Sequence, residues 1–155
     1  LRFSGDGYER KKKIKDIFVD SCVAVRLENP VDPSLVGLLE WLAEHGAPVI
    51  TPKILKEYND SLDACSSNFI AIINACQRDG RFIEISNDEL KSLSFSKKIE
   101  KKLLSNRKDW WHIKAVILSP RKLAISFDNN FVQDVNNFPG HKARASRSAA
   151  DLAYK

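Results

Sequence analysis

The sequence predicts an α/β domain, a three-layer α/β/α arrangement around a mainly parallel central sheet. Four short apolar runs predict it: DIFVD at 16–20, APVI at 47–50, RFIEIS at 81–86 and KLAISF at 122–127. Longer segments of helical pattern separate them, and strands alternating with helices are the signature of βαβ units. At 155 residues, with no internal repeat and no linker, the chain reads as one ordinary domain with a real core.

The elements follow in order. Residues 1–15, with two glycines and a lysine run, read as a flexible basic lead-in. After the first strand, SCVAVRLEN begins a helix that NPVDP interrupts, because proline forces the preceding residue away from helical dihedrals. Helix 33–46 places Leu35, Leu38, Leu39, Leu42 and Ala43 on one face, with Pro33 at its start and Gly46 at its stop. The second strand, 47–50, leads to a helix capped by Thr51 with Pro52 at its first position. Residues 66–80 form a further helix stopped by Gly80, and 81–86 a third strand. The polar, lysine-rich stretch 87–108 is helical in pieces. The run 109–119 is an apolar helix ended by PRK, and 122–127 is the fourth strand. The predicted domain spans 16–138; residues 139–155 show no strand pattern and read as a basic C-terminal tail.

Composition narrows the function classes. Hydrophobic residues make up 43% and charged residues 29%, which suits a globular chain. No apolar run approaches the roughly 20 residues of a membrane span, and no apolar segment of a secretory signal follows KKKIK. Cys22, Cys65 and Cys76 are odd in number and widely spaced, so neither a disulfide framework nor a zinc knuckle is expected; a reducing, cytoplasmic setting is. The absence of methionine, even at position 1, points to a trimmed chain or a piece of a larger parent chain. The net charge of +5 favours polyanionic partners, nucleic acid above all.

In parallel α/β sheets, ligands bind beyond the carboxyl ends of the strands, where strand order reverses. Asp20 follows the first strand and Asp128 the fourth. Glu57 lies on the helix after the second strand, and Asp109 opens the helix leading to the fourth. Four carboxylates from four segments thus head for one edge of the sheet. Each also has a plainer explanation. Asp20 or Ser21 can cap a helix, and Asp109 suits the third position of a helix capped by Asn106. Asp128 can cap the following helix, although Asn130 with Gln133 makes a better capping pair, and Glu57 can be a solvated residue near Lys53. Together the plain readings weaken, since crowded carboxylates repel unless a cation sits among them. Oxygen donors suit Mg²⁺ or Mn²⁺, and His45, His112 and His141 lack zinc-site spacing. His112, one turn after Asp109, is expected to pack or to support a ligand.

In order, these residues resemble the PIN-domain family of metal-dependent nucleases, most of all its toxin-type small ribonucleases. IFVDS matches the family's apolar strand ending in Asp20 and Ser21; VITPKILKEY matches the helical acid at Glu57. DWWHIKAVIL matches the helix-opening Asp109, and LAISFDNNF matches Ser126, Asp128, Asn130 and Phe131. The likeness covers roughly 16–135. Three features depart from it: SPRK before the fourth strand where glycine is frequent, a long insert at 87–108, and no visible fifth strand after 138.

The resemblance implies a PIN-like fold and hydrolysis of phosphodiester bonds, most often in RNA, with Mg²⁺ or Mn²⁺ held by Asp20, Glu57, Asp109 and Asp128. Ser21, Ser126 and Asn130 would position the carboxylates or metal-bound waters. Its alternative is a PIN-like module that only binds RNA or protein. Lys97, Lys98, Lys101, Lys102, Arg107 and Lys108 form a basic segment leading to Asp109, which suits either phosphates or simply a solvated helix face. One of Trp110 and Trp111 is expected in the core, and base stacking is one role open to the other, set against plain packing. As partners the resemblance points to RNA, single-stranded or structured. It leaves open a homodimer and a protein inhibitor of the kind many small members have. Aspartate-nucleophile phosphatases also place an Asp after a first strand, but they need a second Asp where this chain has Cys22.

Overall fold

The structure, a computed structural model, describes residues 2–3 and 14–155. Its strands are β1 (Arg2–Phe3), β2 (Asp16–Val19), β3 (Ala47–Ile50), β4 (Ile83–Glu84), β5 (Leu123–Ile125) and β6 (Arg144–Ser146). Its helices are α1 (Ser21–Leu27), α2 (Pro33–Glu44), α3 (Pro52–Ser61), α4 (Asn68–Arg78), α5 (Asn87–Ser92), α6 (Lys97–Lys102), α7 (Trp110–Leu118) and α8 (Asn129–Asn136). Single 3₁₀ turns cover Arg107–Asp109 and Ala149–Asp151.

The sheet order is β1-β4-β3-β2-β5-β6. The strands β2 to β6 pair in parallel, and only β1 joins antiparallel, on β4. Helices flank the sheet in an α/β/α arrangement, as the alternation of strands and helices predicts. One helical group joins α1 to α2 and α3, and α2 to α4; another joins α7 to α5 and α8. Because β2 has β3 on one side and β5 on the other, chain order reverses there, and ligands of such sheets bind beyond the carboxyl ends of the strands at that point.

The core explains why these short runs become strands. Ile17, Phe18 and Val19 of β2, Val49 of β3 and Ala124 and Ile125 of β5 are fully buried or nearly so. Burying each large apolar side chain contributes on the order of 1.5–3 kcal/mol, enough to place the runs inside despite their length. Helix starts follow local chemistry: Thr51 Oγ1 accepts the Ile54 N–H at 3.0 Å, as expected, and Pro52 follows. Gly46 ends α2 because nothing larger fits; a Cβ there would lie 2.7 Å from the Trp41 ring.

Residues 139–155 are not a tail. Arg144–Ser146 is the fifth parallel strand, paired with β5, and Ala143, Ala145, Ala149, Leu152 and Tyr154 are buried. Three residues are too few for a strand period to register in sequence. The Asn136 side chain supplies what a further strand would, donating to the Ala145 carbonyl at 3.0 Å and accepting its N–H at 2.8 Å. Tyr154 then packs edge-on against Trp41, with ring centroids 4.7 Å apart. In the expected flexible lead-in, residues 1 and 4–13 lie outside the described residues, while Arg2–Phe3 form β1. Among the described residues, no helix is long and apolar enough to cross a membrane.

Candidate metal centre

Asp20 leaves β2 with its N–H bonded to the Ile125 carbonyl of β5 at 3.0 Å, so the backbone itself fixes where its side chain starts. Its carboxylate does two things at once. Oδ1 accepts the Ser21 N–H at 2.8 Å at the head of α1, and Oδ2 accepts the Ser126 hydroxyl at 2.6 Å. Capping and site-building are therefore not alternatives for this residue. Ser126 is fully buried and also accepts the Asp128 N–H at 3.0 Å.

Glu57 comes from α3. The neighbouring Tyr58, buried, donates its hydroxyl to the Val19 carbonyl, docking α3 on the end of β2 and aiming Glu57 across it. Glu57 Oε1 accepts from Ser21 Oγ at 3.2 Å, and Oε2 lies 2.7 Å from His112 Nε2. Burial pushes the Glu57 carboxyl up, but the bonds and charges of His112, the Ser21 hydroxyl and Lys53 outweigh it and hold the group below its ordinary value. Glu57 is thus an ionised carboxylate at neutral pH.

His112 is buried on α7, its ring 5.2 Å from that of Phe18, and its Nδ1 has no hydrogen-bond partner among the described residues. Among the described residues, Asp20, Glu57 and His112 form the one group whose ligand atoms all lie within 4.8 Å of one another. The expectation that His112 packs or supports a ligand fits its bond to Glu57, and its place one turn after Asp109 on an apolar helix was the sequence signal for it.

Asp109 and Asp128 stand beside this trio, not inside it. Asp109 precedes α7 without capping it, so its carboxylate is not spent on the helix. Burial pushes the Asp109 carboxyl up and Asp128 adds to the effect, against the charges of His112, Lys53 and Lys108. Asp128 is exposed and caps α8 itself, with Oδ1 accepting the N–H groups of Asn130 (3.0 Å) and Phe131 (3.2 Å). The capping pair expected at Asn130 and Gln133 does not form the cap, because the residue that leaves the strand reaches the free N–H groups first. Asn130 enters through its backbone N–H.

Cys22 lies close by, accepting the Phe127 N–H at 3.4 Å with its sulfur 3.8 Å from Ser126 Oγ. Burial and the Asp20 charge push its thiol up, which disfavours the thiolate. The basic segment is exposed at Lys97, Lys98, Lys101, Lys102, Arg107 and Lys108. It is tied down by Asp134, whose buried carboxylate accepts the N–H groups of Leu104 and Ser105, both at 2.8 Å at their shortest. Lys53 Nζ donates to the Lys108 carbonyl, joining α3 to the end of that segment.

Carboxylates thus gather at a sheet switch point, one turned by Ser126 and one by Ser21 and His112, and a basic segment leads directly into Asp109. No protein-family model matches the chain, and no curated protein matches it significantly.

Proposed function

We propose that this protein is a divalent-metal-dependent endoribonuclease with a PIN-like fold. The observation that carries the reading is the convergence of Asp20 and Glu57 in one 4.8 Å group, with Asp109 and Asp128 alongside, where the parallel sheet reverses its order.

The donor set fits Mg²⁺ or Mn²⁺. Carboxylate oxygens dominate it, and each of Asp20 and Glu57 keeps lone pairs beyond its protein hydrogen bonds. Burial pushes the Asp109 carboxyl up and the Asp128 charge adds to it, and a bound cation would favour the ionised form of both acids. Asp20 and Glu57 would hold the ion, with Asp109 and Asp128 as direct or water-mediated holders. When bound, the ion supplies Lewis acidity and makes water a nucleophile at neutral pH. The chain's own part is orientation. Ser126 sets the direction of the Asp20 carboxylate, while Ser21 and His112 clamp Glu57 from both oxygens. The exposed lysines draw in the phosphate backbone.

The test is cleavage of labelled RNAs and single-stranded DNA with Mn²⁺ or EDTA, with wild type beside Asp20→Asn. Metal-dependent cutting of RNA that the variant loses is the expected result. If both proteins are inert yet bind RNA equally, the chain is a binding module and the catalytic reading falls.

A further inference from the structure

We infer that the open pocket lined by Lys53, Asn87, Leu90, Lys91, Lys108 and Trp111 is a subsite for one unstacked nucleotide of a single-stranded nucleic acid. Its role beside the acidic group rests on the nuclease reading, whereas its binding chemistry does not.

The pocket measures about 300 Å³, the small end of the range for ligand sites. Leu90 and Trp111 make its wall apolar, and three of its six lining residues are lysines, with no acid among them. An apolar slot ringed by cations matches a flat ring carried on a phosphate. A purely apolar ligand has no use for the lysines, and an inorganic or peptide phosphate none for the indole.

Its position places it beside the acidic group. Lys53 sits one turn before Glu57 on α3, and Lys108 directly precedes Asp109. The charge of Lys53 acts on both acids, so a phosphate held here lies next to them. Lys53 is fixed by its bond to the Lys108 carbonyl, which ties two of the lining residues together without any ligand.

The two adjacent tryptophans divide the work. Trp110 is committed to the protein: its indole N–H donates to the Ser105 carbonyl at 3.2 Å and its ring lies 6.2 Å from that of Phe95. Trp111 lines the pocket, with Lys114 Nζ 4.9 Å from its ring centroid. A base must leave its own stack to reach an indole, so the ligand is single-stranded or looped rather than a regular duplex.

The experiment measures binding of 5′-labelled hexauridylate and hexaadenylate in EDTA, by anisotropy and by quenching of tryptophan emission. Wild type is compared with Trp111→Leu and with Lys91→Ala, which alters an exposed lysine outside the acidic group. Trp111→Leu is expected to weaken binding by roughly 5- to 100-fold, the range for a lost base–aromatic stack. Lys91→Ala is expected to flatten the slope of log affinity against log salt by about 0.7, one phosphate contact on a single strand. If Trp111→Leu does not fold, the Lys91→Ala slope decides alone. Unchanged affinity and slope in the folded variants overturn the subsite, even where RNA is cut. Affinity and slope reduced as expected, in a protein that cuts nothing with Mn²⁺, keep the subsite and remove the nuclease reading.

Discussion

Ser126 and Asp20, each just past the end of one of two neighbouring strands and 106 residues apart in the chain, share a hydrogen bond of 2.6 Å. The same hydroxyl accepts the Asp128 N–H at 3.0 Å, so one buried oxygen sets the geometry of two strand-end acids. Ser126→Ala should therefore release the Asp20 carboxylate. Partners of this kind typically contribute 10- to 100-fold in metal affinity, and a fall of about that size is expected. Calorimetric Mn²⁺ titration of both proteins checks it, and equal affinities would refute the positioning role.

His112 holds the far oxygen of Glu57 at 2.7 Å while its ring fills space against Phe18. Two substitutions separate these duties. His112→Leu keeps bulk but loses the donor, so Mn²⁺ affinity should drop by about 10-fold or more. His112→Gln keeps a donor and should retain more of the affinity at similar stability. Thermal shifts with and without Mn²⁺ read both, because a ligand bound only by the folded state raises the midpoint. Mn²⁺ shifts in both variants equal to that of wild type would show that His112 only packs.

Asp16 is fully buried, with Arg121 Nε 4.0 Å from Oδ1 and the Arg121 N–H 3.3 Å from Oδ2. Burial pushes its carboxyl up, and the Arg121 bond and charge offset this only in part. The folded chain keeps this proton at pH values where the unfolded chain has already lost it. Between the ordinary carboxylate range and the raised folded value, Asp16 therefore costs stability as pH rises, and above that value the loss is complete. Asp16→Asn should remove this contribution, so its stability advantage over wild type should grow with pH through that window. Urea midpoints measured from acid to neutral pH test it. A constant difference would mean that Asp16 ionises alike in both states.

Lys122 has φ of 54°, in the left-handed region, in the turn SPRK that precedes β5. An L-residue there is strained by roughly 1–2 kcal/mol, a cost glycine does not bear. Glycine loses about 0.5–1 kcal/mol more backbone entropy, so Lys122→Gly should be neutral to slightly stabilising. Lys122→Val, β-branched, should lose about 1 kcal/mol or more. Chemical denaturation orders the three, and a valine variant as stable as the glycine one would contradict the account.

The sequence by itself determined the alternation of strands and helices, the caps at Thr51 and Pro52, and the strand ends that carry Asp20 and Asp128. These depend on residues within a turn or a strand length of each other, where steric preference and local hydrogen bonds act before any fold exists. It also pointed to Glu57 and Asp109 by their places on helices near the same edge.

Only the tertiary structure decided which acids meet. The bonds that build the centre join residues 36, 55 and 106 positions apart, and no local pattern encodes such pairings. The same holds for β6, completed by the Asn136 side chain rather than by its own three residues. It holds too for α4, whose first N–H groups are taken by the distant Glu28 carboxylate at 3.1 Å as well as by Ser67. A polar group finds its partner only after burial has removed water from both. The strand termini were therefore legible in the chain, while the contacts that turn them into a site appeared only with the packed sheet.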